Sequence, residues 1–514
     1  MKIFAAALNL HDHNTYDGVF HNQRERYTRR KHNIPWHLDA YENHSVNERM
    51  NMDDYRLNVE FYEEYFKKKN DTVLAFSCTD GGVRYSKETL LKTTLKDDPL
   101  VFYFKPKKLF DYYYKHGIYY IDHHQSHATY AFINSGFEES DILAIDGRGW
   151  NYNCIFVDKD QNIHDKTEEL SLGLLWNQMS KLTGFGPLGA SKLMGLVGYG
   201  KYEEYYYNIF ELIIEDKRID EGKTYKGVNL DYGIENLAFT LQKFTLDKIR
   251  EHIFPLKTSD NLCLAGGVTY NGYMNEEFTK HYKNVFVPPA VGDEGQAIGC
   301  YQHADYTLNK NKHISNTFSG EEYSYNGLYS RMNDTNILTG VNLDIKKIAQ
   351  SIADGKIVGW YQGKSESGNR ALGNRSILAD PRNPDIKDII NHTIKQREDF
   401  RPFAPAVLEE HYKEYFDTNS PSPHMSRIVK VKSDKIPGVT HVDNTARIQT
   451  VNREFNEKFY DLINEFYKIT GIPMLLNTSF NCKEPIVETP QDAIRTWKKT
   501  ELDILVINDY VLEK

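Results

Sequence analysis

Short apolar runs that end at polar or glycine-containing turns recur through the first 300 residues: Ile3–Leu8, Val73–Ser77, Leu143–Ile145, Leu262–Ala265 and Val285–Val287. Helical patterns alternate with them, at Asn58–Lys69, Leu175–Leu182, Leu237–Ile253 and Gly295–Ala304. Runs this short, each followed by a helical stretch, admit few solutions other than an α/β domain, with functional loops at the strand ends. Residues 305–345 are polar, rich in Asn, Ser, Tyr and Gly, and weakly periodic, so they read as a linker or the edge of this first unit. A helix at Leu343–Ala353 and a strand at Ile357–Tyr361 open a second unit, whose last expected strand is Ile504–Ile507. The expected division is therefore 1–340 and 341–514, which a chain of 514 residues accommodates.

The net charge of −9 argues against a general nucleic-acid footprint, so an anionic substrate must be met by a local group of cations. Five scattered cysteines without a Cys-x-x-Cys pair argue for a reducing, cytoplasmic setting and against a zinc ribbon. No apolar stretch reaches the roughly 20 residues of a membrane span. The start Met1–Leu8 fits a first strand better than a signal peptide, because Asn9, His11 and Asp12 follow it without a cleavage-like site.

Within the first unit, His123 and His127 lie four residues apart, and Asp146 follows at the end of the apolar run Ile142–Ile145. On a helix such a pair shares one face and can reach one metal ion. The pair is not the zincin pattern, since Gln125 stands where the general-base glutamate would be. Instead Asp122 and Gln125 have the spacing of a capping box, and Gly136 is a natural stop. Two further turns follow strands. Gly266-Gly267 lets the backbone approach a nucleotide, with Asn271 available for a hydrogen bond, or is a plain strand-end turn. Asp293, ahead of a helix, is either an N-cap or a carboxylate aimed at a cation.

The second unit is dense in cations and small polar groups. They lie in Gly363–Ser376, Ile394–Phe403, Thr445–Gln449 and Leu476–Asn481. Arginine forks take phosphate and carboxylate in a bidentate way, and Asn and Ser add directional bonds. The competing account is surface salt bridging to nearby Asp and Glu. Four such segments in a net acidic chain favour one phosphate pocket.

With these motifs in place, the chain resembles the O-carbamoyltransferases of antibiotic and nodulation-factor biosynthesis over nearly its whole length. The resemblance rests on Asn9-Leu10-His11-Asp12, the basic run Arg24–His32, His123–Ala128, Asp146-Gly147-Arg148-Gly149, Ser171-Leu172-Gly173 and Lys192–Leu196. It continues through Gly266-Gly267-Val268, Arg370–Ser376, Arg401–Pro405, His441-Val442-Asp443 and Asn477–Asn481. The strings Arg-Ala-Leu-Gly-Asn-Arg-Ser and Asn-Thr-Ser-Phe-Asn are the most specific.

The resemblance implies an actin-like (ASKHA-type) ATPase domain followed by an α/β domain similar to threonylcarbamoyl-adenylate synthase. It implies that carbamoyl phosphate is cleaved to carbamate, that ATP converts this to carbamoyl-adenylate, and that the carbamoyl group passes to an acceptor hydroxyl. Carried over by position, His123, His127, Asp146 and Asp293 match metal ligands, with iron as the implied metal. Gly173, Gly267 and Asn271 match nucleotide-binding positions. Arg370, Lys395, Arg401, Arg447, Asn477 and Ser479 match the carbamoyl-phosphate pocket. His11 matches the base that deprotonates the acceptor, a task an imidazole performs near neutral pH, and its plainer role is a satisfied polar residue at a strand end. Lys31 and Asn177 fall near the acceptor. Asn369, Trp176 and Asn177 depart from the usual pattern, so the acceptor does not carry over. Other expectations weighed are carbamoyl transfer to a nucleotide, a tRNA base or a protein thiol, and a non-catalytic actin-like scaffold. Net acidity disfavours tRNA, the missing Cys-x-x-Cys fingers disfavour the thiol, and a scaffold has no use for both a metal set and a phosphate cluster.

Overall fold

The computed structural model describes residues 2–8, 13–19, 21–23, 72–78, 105–115, 118–147, 149, 151–215, 228–323 and 341–514. His11, Lys31 and the helix expected at Asn58–Lys69 lie outside the described residues.

Two sheets of the first unit repeat one topology. In the first, β1 (Lys2–Leu8), β2 (His13–Tyr16) and β3 (His21–Gln23) form an antiparallel meander. From β1 the sheet continues in parallel through β4 (Thr72–Cys78), then past β5 (Tyr113–Lys115) in the chain to β6 (Ile118–Asp122); β5 adds an antiparallel edge. In the second sheet, β7 (Asp141–Ile145), β8 (Cys154–Val157) and β9 (Ile163–Asp165) are the meander. The parallel extension is β10 (Asn261–Ala265) and β11 (Asn284–Phe286). These strands begin within one or two residues of the apolar runs that predict them, because burial on both faces selects unbroken apolar stretches.

Helices α1 (His123–Ser135), α2 (Leu172–Leu182), α3 (Ile234–His252), α4 (Gly272–Phe278) and α5 (Gln296–Asn309) fill the connections. The last parallel strand of each sheet feeds a helix that crosses to the other sheet. Ala128, Ala131, Phe132 and Ile133 of α1 pack on Ile142, Ala144, Cys263 and Ala265 of the second sheet. Cys300 and Ala304 of α5 pack on Ile3, Ala5, Val73 and Ala75 of the first. The two helices also pack on each other, and a Cβ on Gly299 would come within 2.1 Å of the Ser126 carbonyl oxygen. Only a glycine permits that approach.

The second unit is built on a ten-stranded sheet drawn entirely from residues beyond 340. Its strands are β12 (Val341–Asn342), β13 (Val358–Tyr361), β14 (Arg375–Ala379), β15 (Ala404–Leu408), β16 (Phe416–Asp417), β17 (Arg427–Val431), β18 (Thr445–Val451), β19 (Met474–Ser479), β20 (Ile504–Ile507) and β21 (Tyr510–Glu513). The spatial order is β12-β21-β20-β13-β14-β19-β15-β18-β17-β16. Helices α6 (Ile345–Ala353) and α7 (Glu457–Thr470) pack on each other, and their apolar faces, Ile348 and Ile352 with Phe459, Ile463 and Phe466, join its core.

Three element boundaries correct the sequence reading. The first helix to enter the expected linker, α5, runs on to Asn309 and stops where Lys310 takes a left-handed conformation (φ 59). The linker ends in β12, which pairs with β21, so its last residues belong to the sheet. The chain does not end in the strand Ile504–Ile507: Asn508 turns at φ 50 and β21 returns antiparallel. The signal for this hairpin lies in the two-residue turn Asn508-Asp509 between the apolar runs Ile504–Ile507 and Tyr510–Leu512. Among the described residues no helix is long and apolar enough to cross a membrane.

Candidate metal and anion sites

Helix α1 starts as its spacing predicts. The Asp122 carboxylate accepts the His124 and Gln125 N–H groups, the Gln125 side chain accepts the Asp122 N–H at 3.2 Å, and Gly136 ends the helix at φ 71. The cap fixes His123 at the first helical position and His127 one turn on, both buried. Strand β7 delivers Asp146 to them, and the turn after β11 delivers Asp293. His123 Nε2 lies 3.3 Å from an oxygen of each carboxylate, and His127 Nε2 lies 2.9 Å from Asp146 and 3.4 Å from Asp293. Asp293 is the first residue of a short helical turn whose N-cap position is taken by Gly292, and its carboxylate faces the two histidines.

Burial pulls the His123 imidazole down, but the facing Asp293 and Asp146 carboxylates win and raise it to about 10. His127 is raised against the same burial by the same two carboxylates. Burial and Asp146 push Asp293 upward, yet the two histidines hold it at about 2. Asp146, also against burial, lies well below the usual carboxylate range. The four groups thus favour two protons on the imidazoles, at zero net charge. A divalent ion can replace those two protons without changing the charge, and neutral imidazole is the ligating form. Donors at about 2.0–2.2 Å from one ion stand roughly 3–3.5 Å apart, which the His–Asp spacings match, and all four ligand atoms lie within 4.8 Å of one another. The donor set therefore fits a divalent ion.

Glycines crowd the Asp146 side of this cluster. A Cβ on Gly173 would fall 2.4 Å from the Asp146 carbonyl oxygen, and one on Gly267 2.9 Å from Asp146 Oδ1. A Cβ on Gly147 would fall 3.3 Å from the Asn177 amide nitrogen, which brings Asn177 to the same turn. Helix α2, through Gly173 and Asn177, and the turn after β10, through Gly267, thus both pack on the Asp146-Gly147 turn. Asn271 caps α4: its oxygen accepts the Met274 N–H at 3.1 Å and its amide donates to Gln242 at 2.7 Å.

A second cluster lies in the other unit. Arg370 precedes β14, Arg401 precedes β15 and Arg447 sits on β18. Burial lowers the Arg370 guanidinium, and Arg401 lowers it further. Burial and Arg370 bring Arg447 well below the ordinary arginine value. Arg397 is pushed down to about 9 by burial and by Arg401. Guanidinium groups that depress one another form a site an anion would relieve. Asn477 on β19 donates to the Ala371 carbonyl at 3.1 Å and to Gln449 at 2.8 Å, so it adjoins both Arg370 and the strand of Arg447. Lys395 reaches Ser479 Oγ at 3.2 Å and Asn481 at 2.7 Å. The structure therefore brings the sequence-predicted cations and amides onto one part of the sheet.

Arg375, five residues after Arg370, plays a different part. It is fully buried, donates to the Gln362, Gly363 and Asn374 carbonyls and stacks 3.6 Å over Tyr361. Sequence reasoning missed Glu366. Its carboxylate, 1% exposed, accepts the N–H groups of Leu372 (2.7 Å), Asn374 (2.8 Å) and Arg375 (3.1 Å) and so shapes the loop that carries Arg370. Salt bridging was the role open to carboxylates in this segment; a glutamate among glycines, where backbone N–H groups can converge, was the signal for this one.

Comparison with known proteins gives matches over both units. Residues 19–245 and 231–301 match the family description "Carbamoyltransferase N-terminus", and residues 349–514 match "Carbamoyltransferase C-terminus". Nodulation protein NolNO of Sinorhizobium fredii is 37% identical over 444 residues, 77% of this chain and 64% of that protein. Nodulation protein NolO of Bradyrhizobium diazoefficiens is 35% identical over 439 residues, 77% of this chain and 79% of that one. The 3'-hydroxymethylcephem-O-carbamoyltransferase of Streptomyces clavuligerus is 33% identical over 253 residues, 48% of each. The chain thus spans just under two thirds of NolNO. Full-length HypF in a phosphate- and nucleotide-bound form superposes with a TM-score of 0.33 at 13% identity, covering 61% of this chain and 47% of that one. Likeness at that level bears on neither fold nor chemistry.

Proposed function

The chain belongs to the carbamoyltransferase family of enzymes, and from that premise we propose that it is an ATP-dependent O-carbamoyltransferase acting on a small-molecule hydroxyl. Carbamoyl phosphate is hydrolysed to carbamate and phosphate. Carbamate attacks ATP, giving carbamoyl-adenylate and pyrophosphate. The acceptor oxygen then displaces AMP and loses its proton. The observation that supports this reading is the pairing of two sites: buried arginines gathered around Tyr270 in one unit, and a His-Asp quartet with glycines packed on its Asp146 side in the other.

In this reading residues 341–514, a domain similar to threonylcarbamoyl-adenylate synthase, hold carbamoyl phosphate and form the adenylate. Arg370, Arg401 and Arg447 neutralise the phosphoryl oxygens, while Lys395, Asn477 and Ser479 orient the carbamoyl end. Residues 1–340 form an actin-like nucleotide-binding domain. The repeated sheet topology and the crossed helices α1 and α5 support it. Gly173 and Gly267, packed closely on Asp146, match nucleotide-binding positions by resemblance, and Asn271 borders the turn of Gly267. His123, His127, Asp146 and Asp293 would hold a divalent ion, iron by family resemblance, with manganese and zinc suited to the same donors. When bound, it supplies Lewis acidity toward a phosphate or carbamoyl oxygen. His11 takes the acceptor proton, and Lys31 and Asn177 contact the acceptor. The chemistry fits a cytoplasmic enzyme, where ATP and carbamoyl phosphate are available.

The protein incubated with ATP, carbamoyl phosphate and Fe(II) releases AMP and pyrophosphate in a carbamoyl-phosphate-dependent way. A panel of sugar, aminoglycoside, macrolide and nucleoside hydroxyls, read by mass spectrometry, identifies the acceptor by the gain of one carbamoyl group. AMP formation indifferent to carbamoyl phosphate, with every acceptor class tried, would sink the reading.

A further inference from the structure

Tyr270 stands where the two sites meet, and each part of it is engaged. It closes the short helical turn Gly267–Tyr270, whose Gly267 packs on the Asp146 carboxylate. Its hydroxyl donates to Glu294, which is buried and also accepts the Gly292 N–H at 3.1 Å. Because Glu294 follows Asp293, this bond ties the turn under Asp146 to the loop that presents Asp293. A Cβ on Gly292 would lie 2.7 Å from the Glu294 carboxylate and 3.2 Å from the Tyr270 ring, so the three are in close contact. On the other side, the Arg370 guanidinium lies 5.5 Å from the centre of the Tyr270 ring. Arg447 donates to the Tyr270 carbonyl oxygen at 3.3 Å. One residue thus touches two arginines of the second unit and the Asp293 loop of the first, and closes the turn whose Gly267 packs on Asp146.

We propose that Tyr270 is a positioning residue for the carbamoyl-transfer reaction: its hydroxyl, through Glu294, fixes the Asp293 loop, and its ring and carbonyl fix Arg370 and Arg447. The inference rests on the reading of the quartet as a metal site and of the arginines as an anion site. Its consequence is a separation that a purely stabilising tyrosine would not give. Phenylalanine keeps the ring and the carbonyl and loses only the hydroxyl. Leucine loses the cation–π partner as well.

The test uses the full chain, with Mn2+ as the metal probe and inorganic phosphate as the anion probe, each titrated by calorimetry. Tyr270→Phe weakens Mn2+ binding about tenfold, the value of a hydrogen bond to a charged group, and leaves phosphate affinity within about twofold. Tyr270→Leu weakens both. Mn2+ affinity unchanged in Tyr270→Phe, or equal losses of Mn2+ and phosphate in that variant, would overturn the proposal. So would phosphate affinity unchanged in Tyr270→Leu. Wild-type protein that binds neither probe overturns the site assignment itself, an outcome distinct from a failed separation in a wild type that binds both.

Discussion

An arginine pressed against other arginines is held there at a cost, and the cost is recovered only when an anion arrives. Arg401 is such a residue: burial lowers its guanidinium, and its carboxylate neighbour Glu398 stands 3.8 Å away and is shared with Lys192 at 2.7 Å. Arg401→Ala should lower kcat/KM for carbamoyl phosphate by about 100-fold or more, the loss of a charge-assisted contact made to the substrate, with the ATP dissociation constant unchanged. Steady-state kinetics with a nucleotide-binding titration checks both halves; loss of ATP binding would place the anion pocket wrongly. How far such roles could be read in advance is clear from the string that runs from Arg370 to Ser376. Its density of cations pointed to phosphate, and the structure does gather Arg370 with Arg447. It could not say that Arg375, in the same string, spends its donors on three carbonyls, nor that Glu366 organises the loop, because both facts depend on which backbone groups the fold leaves facing inward.

Local signals were most readable where the element is held by its own sequence. The cap of α1 is the clearest case, since Asp122, Gln125 and Gly136 meet the demands of a helix start and stop without reference to the rest of the fold. Asp293 was not readable in the same way. Whether it caps α5 or faces α1 depends on a contact made across 166 positions to His127, and only the assembled sheets decide it. The β21 hairpin did carry a local signal, the turn Asn508-Asp509 between the apolar runs Ile504–Ile507 and Tyr510–Leu512, whereas its pairing with β12 is decided only by the assembled sheet. The roles assigned to His11 and Lys31 rest on resemblance alone. The cap also carries a prediction. Asp122 accepts the His124 N–H at 2.9 Å and, through its second oxygen, the Asn151 amide at 2.8 Å. Asp122→Ala removes both, which should cost about 1–2 kcal/mol of stability in a denaturant titration. Because His123 is the first residue of that helix, Mn2+ affinity should fall with it. A variant that is destabilised but binds Mn2+ as before would show that the cap does not set the ligand geometry.

The two units meet along α4, which packs on β17 of the second sheet. Tyr273 donates to Asp443 at 2.8 Å, and the Asn275 amide bridges the Thr269 carbonyl on its own side (2.7 Å) and the Ser426 carbonyl on the other (2.8 Å). The approach depends on the first residue of the helix. A Cβ on Gly272 would lie 2.7 Å from Ile428 Cγ1, 2.9 Å from the Ile428 backbone nitrogen and 3.1 Å from an Arg447 guanidinium nitrogen. The side chain could turn aside, but the nitrogen belongs to a strand residue paired with Arg447 of β18 and cannot shift without disturbing that ladder. Gly272→Ala should therefore push the units apart at this point, at the roughly 1–3 kcal/mol typical of an overpacked contact. The effect should be uneven. The quartet is built within the first unit, so Mn2+ affinity should hold within about twofold, whereas phosphate affinity should drop because Arg447 is displaced. Calorimetric unfolding should broaden or split as the docking weakens, since each unit has its own core. A single sharp transition at the wild-type temperature, with phosphate binding intact, would mean that the α4–β17 contact yields more easily than its geometry implies, and that the two sites are held together elsewhere along the interface.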